Sequence, residues 1–313
     1  MSQLVNRNEA ADPLMPGDLV EVRPAAEIFA TLDDNGTLDK LPFMPEMLAF
    51  CGREFRVSRR AFKTCVDDAD MRRLDDTVFL EEVRCDGGNH AACDRGCLIF
   101  WKTAWLKRPG APAAQPGKAP SSVTEDDLIS LAVRENKFFC QSSEIINASK
   151  PLPWWEPKQY LWDLKYNRTP LTLFSRSLFI AFYNKVAARL KLQSWRSVTG
   201  TAMPGSNGHH PLNLRRGEYV RVKTLSEIKG TLDTEGKNEK MLFAPAMADY
   251  CGQVMQVRDR VENIVLEATP RQRKIKDTVV LEGVMCDGLC HRLCPRQSLL
   301  FWRECWLERT SAP

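Results

Sequence analysis

Apolar and polar residues alternate at two places far apart in the chain. Leu19-Val20-Glu21-Val22-Arg23 and Tyr219-Val220-Arg221-Val222-Lys223 both have the period of two expected of a half-buried strand, and each follows a turn glycine, Gly17 or Gly217. Downstream of the first strand, residues 25–32 lead to a turn at Asp34-Asn35-Gly36, where asparagine and glycine tolerate a left-handed backbone. Pro45-Glu46-Met47-Leu48-Ala49 predicts a single helical turn stopped by Cys51-Gly52. Residues 54–57 and 78–83 then read as strands joined by a charged hairpin over 67–76, and the unit closes on 97–101 and 104–106. A different period governs the middle of the chain. Over 172–192, Leu173, Leu178, Phe179, Phe182, Val186 and Leu190 fall broadly on one side, which predicts a helix packed against the β units. A helix lying on an anionic membrane has the same pattern and is the alternative.

The two strand-rich stretches are copies of one another. From Leu14 and Leu214 they align without a gap to Val57 and Val257, sharing Gly36/Gly236, Phe43/Phe243, Pro45/Pro245, Met47/Met247 and Cys51-Gly52/Cys251-Gly252. After one extra residue in the second copy, the match resumes at Asp76/Asp277 and runs to Arg108/Arg309. Identities this dense mark duplication of a folded unit. The chain therefore divides into an N-terminal tail (1–13), a first copy (14–108), a Pro/Ala/Gly linker (109–121), a helical, Trp-rich connector (122–198), a second linker (199–213), a second copy (214–309) and a short tail (310–313). Within the connector, 122–126 reads as the cap of a helix through 127–133, and Pro157 opens a helix through Tyr160-Leu161-Trp162.

Five or so short strands, with a long loop after the first, predict a small antiparallel barrel, so the fold class is mainly β with a helical connector. Gly-Asp/Glu-x-Val-x-Val at 17–22 and 217–222, with Cys-Gly-x-x-x-x-Val at 51–57 and 251–257, resembles the SH3-like barrel. That resemblance covers the strand pattern of both copies. It implies two small SH3-like barrels and no particular activity. The tandem pattern as a whole also resembles an uncharacterised type of bacterial protein found in biosynthetic gene neighbourhoods, from which no activity follows.

The formal net charge of +4 is the small difference of 44 basic and 40 acidic residues, which disfavours a dedicated nucleic-acid binder. The densest basic run, 271–276, reads as a solvated turn between strands. The N-terminal residues lack a signal-peptide core, and no stretch approaches the roughly 18 apolar residues of a spanning helix, so the expectation is a cytoplasmic protein without a transmembrane segment. The cysteine count, 11, is odd, which argues against a disulfide framework and for metal, catalysis or burial.

Two of the four histidines, His90 and His291, occupy the same position of the repeat, flanked by Cys85/Cys286 and Cys93/Cys294. Thiolates and imidazole are the usual ligands of zinc, which takes four in a tetrahedron. Cys97 completes Cys85, His90 and Cys93 in the first copy, giving a structural zinc site. Ser298 stands in its place in the second, where Cys290 offers a substitute beside Cys286, His291 and Cys294. Cys65, opposite Val265, is set aside because a regular hairpin would hold it on the order of 20 Å from Cys85. Cys51 and Cys251 read as buried core residues, and the His209-His210 pair as loop. Asp86/Asp287 and Glu81/Glu282 are conceivable general bases, although Asp-Gly is also good turn chemistry.

Each copy ends in Phe-Trp-x-x-x-Trp-Leu, which contributes Trp101, Trp105, Trp302 and Trp306. Indoles four apart cannot both face one way on a regular strand unless a turn or bulge intervenes, so one of each pair could line a peptide-binding groove, although burial in the core is the preferred reading. Trp154-Trp155 and the proline-rich segments could fill such a groove in cis. The P-loop, nucleophile-elbow, His-Glu-x-x-His and dinucleotide fingerprints are absent. The sequence therefore reads as a zinc-stiffened tandem-barrel binding or scaffold protein with a protein or peptide partner. A metal- or thiol-dependent enzyme or accessory subunit of small-molecule biosynthesis is the alternative, and nucleic-acid binding is a weaker one.

Overall fold

Two five-stranded antiparallel sheets with the same strand order carry the chain, as seen in a computed structural model that describes residues 12–66, 69–111, 123–134, 137–203 and 211–312. In the first copy the order is Trp101–Lys102, Thr77–Leu80, Glu54–Arg60, Leu19–Val22, Leu106–Lys107. In the second it is Leu299–Arg303, Thr278–Met285, Val254–Arg260, Tyr219–Val222, Leu307–Thr310. The registers correspond: Val20 faces Phe55 as Val220 faces Met255, and a bulge falls at Val57/Arg59 as at Val257/Asp259. The protein is mainly β with a few helices, as expected. The His209-His210 pair, most of the linker 109–121 and the tip of the charged hairpin at 67–68 lie outside the described residues.

Each sheet closes over its own apolar core. Val20, Val22, Ile28, Val57 and Val78 are fully buried in the first, and Val220, Val222, Ile228, Val257 and Val279 in the second. The expected turn at 45–49 forms as a 3-10 helix, Pro45–Phe50, and Gly52 then takes φ +73°, which only glycine adopts without strain.

All four repeated tryptophans lie in these cores. Trp101, Trp105, Trp302 and Trp306 are each 0% exposed, so none of them can touch a partner, and their assignment to a peptide-binding groove is withdrawn. The physical reason is a 3-10 turn, Thr103–Trp105 in one copy and Glu304–Trp306 in the other, which reverses the second indole's direction and lets both point inward. The indole N–H of Trp105 donates to Thr31 Oγ1 at 3.1 Å, and that of Trp306 to Thr231 Oγ1 at 2.9 Å.

The charged hairpin is larger than the sequence suggested. Between two sheet strands, Lys63–Val66 and Ala69–Arg73 form a separate arm, which Lys150–Pro151 of the connector extends to three strands. Its counterpart, Asn263–Val265 with Gln272–Lys274, has two. Each arm packs on the other copy. The Cys65 amide donates to Cys294 Sγ at 3.1 Å, and the Val265 amide to Cys93 Sγ at 3.3 Å. Arg296 donates to the Cys65 carbonyl and Arg95 to the Val265 carbonyl, both at 3.1 Å. Arg84 links the two copies by donating to the carbonyls of the equivalent residues Gly96 and Gln297.

The connector braces the first arm from outside. Lys63 and Asp163, 0% and 1% exposed, pair at 2.5 Å, and Lys63 also donates to the Arg292 carbonyl. Phe62 meets Trp162 edge to face at 5.4 Å. In the predicted cap region, Thr124 caps the helix Glu125–Leu131. The long helix runs Leu171–Arg189, close to the predicted 172–192, but most of the predicted packing face is not the one buried. Small Ser177 and Ala187, with Ile180, are buried, whereas Leu178, Phe179, Phe182, Val186 and Leu190 are exposed. The close approach selects small residues and leaves the bulky stripe outside. Among the described residues no helix is long and apolar enough to cross a membrane.

Candidate metal centre

The loop 85–97 hangs between two sheet strands and is shaped by Gly87. At φ +71°, a Cβ on Gly87 would lie 2.2 Å from the Cys93 carbonyl oxygen, so only glycine lets the loop fold back on itself. Asp86 accepts the Gly88 amide at 3.0 Å, and the amides of His90 and Cys93 both donate to the Gly87 carbonyl. The loop 286–298 repeats this: Gly288 has φ +72°, a Cβ there would lie 2.3 Å from the Cys294 carbonyl oxygen, and Asp287 accepts the Leu289 amide. Asp86, Asp287, Glu81 and Glu282 are all exposed. The first pair makes turns, and none of the four acts as a buried base.

In the first copy the loop brings Cys85, His90 and Cys93 together, 9%, 4% and 5% exposed. Glu46, from the 3-10 turn 45–50, lies behind them. Its Oε1 contacts His90 Nδ1 at 2.8 Å and accepts the Asn89 amide at 2.8 Å. A carboxylate on Nδ1 fixes the ring orientation and turns Nε2 toward the cysteines. Nε2 lies 3.7 Å from Cys85 Sγ. Tetrahedral zinc with ordinary Zn–N and Zn–S bonds separates such atoms by roughly 3.6 Å. Glu46, Cys85 and His90 form a group that could hold a metal ion.

Electrostatics bind this group together. Burial alone would lower the pKa of His90, but hydrogen bonds with Cys85, Cys93 and Glu46 raise it well above the ordinary range. Burial pushes the Cys85 thiol up to about 11 even though His90 pulls it down. At Cys93 the balance is reversed. Burial raises its pKa, but His90 and the amides of Arg95 and Val265 bring it below the ordinary thiol value.

Cys97, the expected fourth ligand, lines the same small cavity, of about 20 Å³, and its sulfur lies 3.5 Å from Ser142 Oγ. Cys140 of the connector lines it too and is 3% exposed. Sequence reasoning missed both Cys140 and Glu46. The Glu46/Ala246 difference, between the shared Pro45/Pro245 and Met47/Met247, was the available signal for Glu46.

The second copy assembles different groups. His291 is exposed, and Cys290 lines a groove with Trp154, Phe182 and Lys185 of the connector. The turn conformation is conserved between the copies, but position 246 is alanine, so no carboxylate draws His291 inward. The exposed side chain of His291, beside a buried Cys294, departs from the ligand set expected there. Cys65 takes its place. Its sulfur lies 3.2 Å from that of Cys294, and the charge of Cys286 acts on it. The estimate of 20 Å placed Cys65 too far from its own copy's cluster to matter, but its arm reaches the cluster of the other copy.

Cys294 is 3% exposed. Burial raises its pKa, but hydrogen bonds from Cys65 and the Arg296 amide bring it down to about 6, and Cys65 is driven up in return. Burial holds Cys286 at about 11. Cys51 and Cys251 are half-buried against the cores, away from either cluster.

Comparison with protein-family models, with curated proteins and with solved structures finds no match.

Proposed function

We propose that the chain is a zinc-stiffened binding or scaffold protein, built from two SH3-like barrels, that acts on a protein or peptide partner. The strand order supports the barrel reading, since it sets the last strand beside the first in both copies, with a long loop following the first strand and a 3-10 turn preceding the last. One observation carries the zinc reading: His90 is buried with Nδ1 held by Glu46 and Nε2 directed at Cys85. Cys85, His90 and Cys93 with Cys97 or Cys140 would complete a closed, structural set. Cys65, Cys286 and Cys294 would form a second, thiol-only set shared between the copies. Catalytic zinc keeps an exchangeable position open to substrate, whereas Cys85, His90, Cys93 and Cys140 are buried.

Metal analysis of protein purified under reducing conditions, paired with near-UV circular dichroism before and after chelation, tests this reading. At least one equivalent of zinc and a loss of tertiary signal on its removal are expected. Metal-free protein with an unchanged spectrum would overturn it.

A further inference from the structure

In the first copy a groove between residues 41–47 and 98–102 is filled by the connector. Gln141 reads the strand edge there: its Oε1 accepts the Phe100 amide at 2.8 Å, and its Nε2 donates to the carbonyls of Phe100 at 2.8 Å and Pro42 at 3.0 Å. Cys140 and Ile145, on either side of Gln141, enter the first core at 3% and 0% exposure. Under this cover Leu41 is 0% exposed, Met44 4% and Phe100 1%.

The corresponding groove of the second copy is open, with a volume of about 660 Å³. Its floor includes Met241, Leu242, Ala244 and Phe301, the counterparts of Leu41, Pro42, Met44 and Phe100. Met241, Ala244 and Phe301 are only partly buried, and Leu242 is 52% exposed where Pro42 is buried. The rim is basic. Lys240, Arg273, Lys274 and Lys276 are exposed along it, and its one carboxylate, Glu239, is paired with Arg303.

We propose that this groove is the docking site for an acidic peptide segment of a partner protein, which takes the position that residues 138–145 take in the first copy. The inference rests on the binding reading above and gives it a site and a partner chemistry. Three features select a peptide. The same surface in the first copy is satisfied by polypeptide, through an amide side chain on strand-edge N–H and C=O groups. The floor is aliphatic with a single aromatic ring, Phe301, whereas single-stranded nucleic acid is held by several stacking rings. The clustered cations select carboxylates and make association salt-dependent.

The probe is a fluorescein-labelled peptide of residues 138–148 carrying Cys140→Ser and preceded by three glutamates. It is titrated by fluorescence anisotropy with the full-length protein, whose metal content and near-UV spectrum are recorded on the same sample. Saturable binding with a Kd of ~10–100 μM is expected. Affinity should fall at least tenfold in R273E/K274E protein, in L242D protein and with the Gln141→Ala peptide, and should hold in R221E protein, which changes a strand outside the groove. Absence of binding at about 1 mM by folded, metal-loaded protein would overturn the docking site and leave the zinc reading standing. Metal-free protein that binds the peptide would do the reverse. Unchanged affinity in R273E/K274E, or displacement of the peptide by a tighter-binding single-stranded RNA, would also overturn the docking site.

Discussion

The two cysteine loops share a backbone and differ in what meets them. Both turn on a left-handed glycine, both place a histidine five residues after the first cysteine, and both are covered by the other copy's arm. Yet His90 is buried and His291 exposed. Glu46 accounts for the difference, because a buried imidazole needs a partner for Nδ1 and alanine at 246 supplies none. Conversely the second loop meets a thiol, Cys65, where the first meets the valine at 265. A repeated loop thus offers ligands, and the surface opposite decides which of them gather.

The sharpest way to break this comparison is to remove what each histidine holds. Replacing His90 with alanine is expected to lose one equivalent of zinc and at least ~3 kcal/mol of stability, read by metal analysis and urea denaturation, since metal-binding free energy is folding free energy at a structural site. His291→Ala should change stability by less than ~0.5 kcal/mol, as exposed substitutions do. Equal losses would show the two loops to be alike after all.

The brace on the first arm comes next. Lys63→Met leaves Asp163 buried without its partner and should cost roughly 3–5 kcal/mol, and a second change, Asp163→Leu, should recover much of that loss because the pair is replaced by packing. The second arm lacks this brace, so Val265→Ala should cost only a cavity-sized ~1–3 kcal/mol.

The thiol difference can be exchanged directly. Cys65→Val makes the second centre resemble the first, and should remove metal from the second while the first keeps its equivalent. Glu46→Gln should weaken metal binding at the first centre by ~10–100-fold in competitive chelator titrations while the fold is retained, as loss of an orienting carboxylate does. The smallest effect is expected at Trp155, 66% exposed, where alanine should change stability by less than ~0.5 kcal/mol, against ~3–5 kcal/mol for Trp101→Ala.

Local features of the fold were legible from residue order. Alternation located the first strand of each copy, Asp-Gly located the loop turns, and Pro45 with Cys51-Gly52 bounded the short helix. The site was legible in part, because Cys85, His90 and Cys93 meet as their spacing suggested. The rest depends on contacts between copies. Nothing near Cys65 in sequence indicates that its arm crosses to residue 294, and within its own copy a regular hairpin holds it far from Cys85. The long helix failed for a related reason: periodicity reports an apolar stripe, but Ser177 and Ala187 won the contact because small side chains permit close approach. The groove assignment of the tryptophans failed through a turn of three residues that the two-residue period of a strand does not contain, whereas their reading as core residues held.

The arm exchange has a further consequence for how this chain tolerates change. Contacts in which residue i of one half meets j of the other, while j meets i in return, are those of a closed two-fold dimer. Here the two halves are covalently one, so they need not remain identical. A substitution in an arm is felt at the cluster numbered some two hundred residues away, and a substitution in a loop is answered by the opposite arm. Cys65 belongs to the first copy by descent and to the second by chemistry. Inheritance and service are thus divided between the halves, and each half can specialise through the other as well as through its own residues.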